Sequence, residues 1–246
     1  MRLASEFLDG DAGVGTCALC LKEYVSLTDE HIFPHSFGGK IECRFLCESC
    51  NRKMGEIDRD FSRGMIPRLH GIISGAKRRV SPQEFFGNFT TKPFNATRDV
   101  VPSLEGCKIA YEIACFHFGL KYAKESREAM QLRRSLLARN EQDSEGLVLP
   151  LIESELPQLV KSITSDMMWA TEFHGLAIVS LLGVTQGVMI EKTDRRFRTS
   201  IDNADLFLAP RKKGGKAMIV PLCEWYKTHS LDISEISGLL EKLCGS

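Results

Sequence analysis

Two Cys-x-x-Cys pairs, Cys17/Cys20 and Cys47/Cys50, stand 26 residues apart near the start of a 246-residue chain. Each pair is short enough to fold as one tight turn, so both of its thiols come from one place. Two such turns supply the four thiolates of a closed tetrahedral zinc site. A lone pair would say little. Two pairs oblige the intervening chain to return to the same ion. The competing reading, four small buried apolar side chains, leaves the repeated spacing unexplained. Cys43 lies outside both pairs and reads as a spare.

There are nine cysteines, an odd number that argues against a disulfide framework. The opening residues Met1-Arg2-Leu3-Ala4-Ser5-Glu6 carry an early acid and no apolar core, so the expected setting is cytoplasmic and reducing. Lys plus Arg equal Asp plus Glu at 32 each, which excludes a polycation that coats nucleic acid with its whole surface. A local patch remains. Between residues 40 and 80 ten basic residues face five acids, leaving that segment at +5. No apolar run approaches the roughly 20 residues of a membrane helix. The nearest, 174–190, is broken by His174, Gln186 and three glycines, so no membrane partner is expected.

Patterning divides the chain into three. Residues 1–66 hold the cysteines, many glycines and no long apolar period, as in a small domain stapled by a metal rather than by a large core. Residues 67–102 read as a linker or irregular crossing, with Pro82, Pro93 and Pro102 near its end. Residues 103–246 read as helical plus antiparallel β. Ile109, Ile113, Phe116, Leu120 and Ala123 form one helical stripe, and Met130 to Leu137 a second. Residues 174–191 suggest a hairpin turning at Gly183–Gly187. A second strand pair flanks the basic loop 211–216, and an amphipathic helix through Ile233 and Leu243 closes the chain. The expected fold class is α+β.

The chemistry sits between the cysteine pairs. There Glu30-His31-Ile32-x-Pro34-x-Ser36-x-Gly38-Gly39 is followed by Leu46-Cys47-x-x-Cys50-Asn51-x-Lys53. This stretch resembles the HNH endonucleases, which have the ββα-metal fold and here a four-cysteine zinc site. More loosely, Gly55-Glu56-Ile57-Asp58 and Lys108-Ile109-Ala110-Tyr111 resemble larger proteins that carry this nuclease at the N-terminus. The resemblance implies that His31 is the general base, that Glu30 and Asn51 hold a catalytic Mg²⁺ or Mn²⁺, and that the zinc is structural. Cys50 then fixes the helix start beside Asn51. On a strand, Glu30 and His31 point to opposite faces, so a turn or bulge is needed for both to face one site. The family's middle asparagine has no counterpart, because no Asn precedes Asn51; its place falls near Ile41-Glu42.

Hydrolysing a phosphodiester needs an activated water and charge neutralisation at the phosphate. A neutral imidazole can take the water's proton near neutral pH. Arg52 and Lys53, on the helix beside Asn51, read either as phosphate contacts or as a solvated face. His35 is a packing residue, a phosphate contact or a second base. Asp58 and Asp60 are expected to pair with Arg59 and Arg63 or to face water. The basic loop 211–216 reads as a solvated turn, and Trp169 and Trp225 as anchors of the C-terminal core. The expected function is metal-dependent cleavage of nucleic acid, with double-stranded DNA as the substrate that the resemblance implies and defence against foreign DNA as its setting. One site cuts one strand, so double-strand cleavage calls for a homodimer or two encounters. The alternative is a non-cleaving zinc module that binds DNA, with residues 103–246 sensing a partner or ligand.

Overall fold

Three short strands and one helix follow the cysteine spacing. In the computed structural model, which describes residues 13–23, 25–63, 103–144, 146–150, 157–163, 167–182, 184–192, 195–210, 216–232 and 234, β1 (Val14–Gly15), β2 (Val25–His31) and β3 (Glu42–Cys47) form an antiparallel sheet in that order. Helix α1 (Glu48–Arg63) leaves β3 without an intervening loop. It buries Cys50, Met54 and Ile57, spaced by four and three residues, on one face. Leu27, Ile32, Phe33, Ile41, Phe45 and Leu46 are buried in the same apolar cluster. Complete burial of a side chain such as Ile57 or Phe45 stabilises by roughly 1.5–3 kcal/mol, so apolar packing supports this unit beside the cysteines, within a cluster that continues into the rest of the chain.

The loop from β2 to β3 turns on its two glycines. Gly38 has φ 94°, a left-handed conformation that glycine adopts without strain. Gly39 lies so close to the Phe33 carbonyl that a Cβ there would sit 2.0 Å from its oxygen. Larger residues at either position would move the loop that carries His35.

Beyond residue 102 the architecture is a helical pair against a six-stranded antiparallel sheet. The helices are α2 (Ser103–Glu125) and α3 (Arg127–Ala138), the latter capped by Ser126, whose Oγ accepts from the Ala129 N–H at 3.1 Å. The sheet order is β4 (Val148–Pro150), β7 (Val184–Met189), β6 (Leu176–Leu181), β5 (Met167–Phe173), β8 (Asp205–Pro210), β9 (Met218–Pro221). Two short helices, α4 (Pro157–Ser162) and α5 (Leu222–Thr228), complete the α-helices among the described residues. The α+β class is as expected. Among the described residues no helix is long and apolar enough to cross a membrane.

Three details differ from the sequence expectation. Residues 105–115 of α2 are buried on every side rather than along one stripe, because α2 lies between α1 and the strands β5, β6 and β7. Gly119, at φ 63°, then breaks the helix in two. The strands of the hairpin meet at the Leu181–Val184 pair, and Gly187 sits inside β7 opposite Ile178. Strand β5 joins that hairpin although Met167-Met168-Trp169-Ala170 is an ordinary helical composition. It pairs with β6 on one edge and β8 on the other, and that context overrides propensity. The two tryptophans fill the roles expected of them. Trp169 is buried, and Trp225 packs on the core with its Nε1 donating to Ser162 Oγ at 2.9 Å. The crossing at 67–102, the loop tip 211–215 and most of the closing helix lie outside the described residues.

Candidate active site and metal centre

The four paired cysteines converge. Cys17 and Cys20 sit in the turn before β2, Cys47 ends β3, and Cys50 lies in the first turn of α1; their sulfurs all lie within 4.8 Å of one another. Sulfurs arranged tetrahedrally at a Zn–S distance of about 2.3 Å are about 3.8 Å apart, and the Cys20 and Cys47 sulfurs are 3.9 Å apart. The turn is closed by the Leu21 N–H on the Cys17 carbonyl and the Cys17 N–H on the Lys22 carbonyl, both 2.9 Å. The Cys47 N–H points at Cys17 Sγ at 3.4 Å, as it would toward a thiolate. The Cys50 thiol beside it, helped by neighbouring backbone N–H groups, draws the Cys17 pKa down to about 4 against the effect of burial. The donor set and spacing fit zinc. Cys43 stays outside the cluster, buried, with its sulfur on the Glu30 carbonyl.

Behind this clamp, β2 carries the acid and the histidine. The β2–β3 register slips between Thr28 and Glu30, so that Arg44 and Phe45 both lie opposite Asp29. This is an irregularity of the kind the motif calls for. It precedes Glu30, however, and the next two side chains enter different surroundings. Glu30 turns inward, 4 % exposed, with Oε1 2.8 Å from Lys108 Nζ. His31 stays partly open. Its Nε2 is 3.4 Å from Glu42 Oε1, and its ring meets the His35 ring edge-on at 4.9 Å. Burial lowers the His31 pKa, with Glu42 opposing, so the neutral imidazole is favoured. Burial raises the Glu30 pKa, with Lys108 opposing.

Asn51, one residue after Cys50, is held by both amide protons. Nδ2 donates to Thr28 Oγ1 at 2.8 Å and to the Asp29 carbonyl at 2.6 Å. With the nitrogen committed to β2, Oδ1 is the donor atom the side chain still has to offer. A carboxylate and an amide oxygen are the hard ligands that Mg²⁺ or Mn²⁺ takes, the remaining positions being filled by water or phosphate. On donor chemistry, then, Glu30 and Asn51 fit such an ion, with Glu30 Oε1 already shared with Lys108.

Residues 17–66 match the HNH endonuclease family. No curated protein and no solved structure matches the chain. In the HNH segment the helix α1 exposes Arg52 and Lys53 side by side, and His35 is exposed on the loop. Arg52 faces solvent. Lys53 instead reaches the end of α3, where Nζ donates to the Leu137 carbonyl at 3.1 Å. Asp58 and Asp60 depart from their expected neighbours. Asp58 accepts from Lys108 at 2.6 Å, and Asp60 pairs with Arg139.

The residues that sequence reasoning did not assign to the HNH segment come from beyond it. Lys108 is fully buried and touches Glu30, Asp58 and the His31 carbonyl. Tyr111 donates its hydroxyl to the Ala18 carbonyl at 2.7 Å, and Arg133 Nε donates to the Leu19 carbonyl at 2.7 Å, both inside the Cys17–Cys20 turn. The available signal was Glu105, Lys108 and Glu112 recurring at three and four residues, charges on one face of a helix otherwise apolar at that level.

Proposed function

We propose that this protein is a divalent-metal-dependent endonuclease that hydrolyses phosphodiester bonds of nucleic acid, double-stranded DNA being the substrate. The observation that carries the reading is the half-exposed His31, held between Glu42 and His35 and favoured as a neutral imidazole, one residue from Glu30 and two β-strand positions from the backbone that anchors Asn51. With Nε2 turned to Glu42, Nδ1 is left to take the proton of the attacking water. Glu30 and Asn51 hold a Mg²⁺ or Mn²⁺ ion, which when bound neutralises charge on the phosphate and on the departing 3′ oxygen. The four cysteines hold a structural zinc that fixes the start of α1. Arg52 supplies a phosphate contact, as do His35 and Lys53 if Lys53 leaves its seat on α3. We place the enzyme in the cytoplasm, acting against foreign DNA, with pairing of two copies for cuts in both strands.

A second reading has one observation in its favour. The ion pair between Glu30 and buried Lys108 partly satisfies the carboxylate without any metal, as a non-cleaving DNA-binding module would allow. Supercoiled plasmid incubated with Mg²⁺, Mn²⁺ or EDTA separates the two. The nuclease gives nicked and linear products that EDTA abolishes; salt-sensitive retention of uncut plasmid under all three conditions contradicts it.

A further inference from the structure

Lys108 lies 50 residues beyond Asp58, in the stretch that is helical rather than part of the ββα unit, yet the acceptors that its ammonium meets among the described residues belong to that unit. Its side chain has zero exposure. An ammonium has three protons to donate, and three acceptors meet this one: Glu30 Oε1 at 2.8 Å, Asp58 Oδ1 at 2.6 Å and the His31 carbonyl at 3.0 Å. Two acceptors belong to β2 and one to α1. Asp58 follows Asn51 by seven residues, close to two helical turns, so it lies on the same face of α1 as Asn51. One buried cation therefore ties the side chain of the acid, the backbone of the histidine and the helix face of the asparagine to a single point.

Stability alone is a poor reason for such a cluster. Desolvating an ammonium and its carboxylates costs several kcal/mol per ion, and a well-packed apolar side chain commonly does as well or better. Two further carboxylates of α2, Glu105 and Glu112, are buried in the same neighbourhood, Glu105 beside Asp58. A core built only to be stable would not concentrate acids there. The same helical layer also grips the zinc turn through Tyr111 and Arg133, and α1 through Arg139, which pairs with Glu56 at 2.9 Å and with Asp60.

We propose that Lys108 is a positioning residue for the catalytic metal: by fixing Glu30 and, through Asp58, the face of α1 that bears Asn51, it sets the metal affinity of the HNH segment from outside that segment. The proposal rests on the reading of Glu30 and Asn51 as metal ligands. The Lys108 side chain has no exposed surface, and its effect runs through the ligands, as hydrogen-bonded outer-shell partners act on metal sites in general.

The test uses the full zinc-loaded chain and reads Mn²⁺ binding directly, by the loss of the free-ion electron paramagnetic resonance signal, alongside plasmid cleavage. Lys108→Met keeps the bulk of the side chain but leaves both Glu30 and Asp58 without their cation. Lys108→Met combined with Asp58→Asn removes one of these two charges, and wild-type zinc content with retained amide protection identifies the folded variant. The expected result is Mn²⁺ binding weakened about ten- to hundred-fold with zinc content unchanged, and a matching rise in the Mn²⁺ needed for half-maximal cleavage. Mn²⁺ affinity within about two-fold of wild type in the folded double variant overturns the proposal, because outer-shell coupling is larger than that. Tighter Mn²⁺ binding also overturns it and makes Lys108 a competitor of the metal. Wild-type protein that binds no Mn²⁺ removes the ligand assignment and this proposal with it. Wild type that binds Mn²⁺, loses it in the variant and yet cuts nothing leaves the positioning role standing and sinks the nuclease reading.

Discussion

His31 and Glu42 face each other across the β2–β3 ladder, paired in register, with Nε2 3.4 Å from Oε1. Glu42 stands near the place where HNH endonucleases carry their middle asparagine, and here a carboxylate orients the ring from the neighbouring strand. The two influences on the imidazole are opposed. Burial, the larger, lowers its pKa; the Glu42 charge raises it. Cleavage needs the neutral ring, so wild-type kcat/KM should hold as pH falls to below about 6.5, the usual histidine value, before it drops. Glu42→Gln takes away the raising influence, so its acid limb should move to still lower pH. The plateau should fall several-fold to about ten-fold, because the ring is less basic and less well oriented. A limb that stays in place or moves upward in the pH–rate profile would show that Glu42 does not act on His31.

Asn51→Ala removes both the amide that binds Thr28 and Asp29 and the oxygen that the proposed metal site uses. The half-saturating Mg²⁺ concentration should rise about ten- to hundred-fold, while zinc content stays the same. Thr28→Val, which leaves Asn51 in place but takes one of its two anchors, should shift it in the same direction by less. Zinc lost together with the Mg²⁺ response in Asn51→Ala would make Asn51 a structural residue.

The cysteine cluster predicts about one tightly bound zinc per chain, measured by elemental analysis. Cys17→Ser removes one ligand and the sulfur that receives the Cys47 N–H, so the β1–β2–β3–α1 unit should lose its structure. Protection of Leu27, Phe45 and Met54 amides in hydrogen exchange reports that loss. Normal protection in a zinc-free Cys17→Ser protein would mean that the small apolar core suffices.

Neighbouring cations on α1 should behave differently toward DNA. Arg52 faces solvent, whereas Lys53 Nζ is seated on the Leu137 carbonyl. Arg52→Ala should lower the slope of log affinity against log salt by about one, the signature of one lost phosphate contact. Lys53→Ala should change it less. Equal slopes would mean that Lys53 leaves α3 when DNA binds.

What was legible in the sequence was local. Cys17/Cys20 and Cys47/Cys50, set by their spacing, and the Gly38-Gly39 turn between them all lie in one short stretch. Strand alternation also called for an irregularity at Glu30-His31; the ladder slips just before that pair, between Thr28 and Glu30, and the two side chains still enter different surroundings. What was not legible depends on elements far apart in the chain. Lys108 meets the His31 carbonyl across 77 residues, and Arg133 meets Leu19 across 114. In sequence, Asp58 beside Arg59 looks like a surface pair, and only the packing of α2 on α1 turns it inward to Lys108. Strand β5 was hidden for the same reason, since its identity comes from its two partners rather than from Met167-Met168-Trp169.

The central claim is that His31 activates water at a metal-dependent nuclease site. Its most direct test compares wild type with His31→Ala on supercoiled plasmid in Mg²⁺, both proteins folded and carrying zinc. Wild type should nick the plasmid and EDTA should stop it, with His31→Ala slower by about 10² to 10⁴, the range for loss of a general base. Equal cleavage by the two proteins, or none by wild type with any divalent ion, would contradict the account.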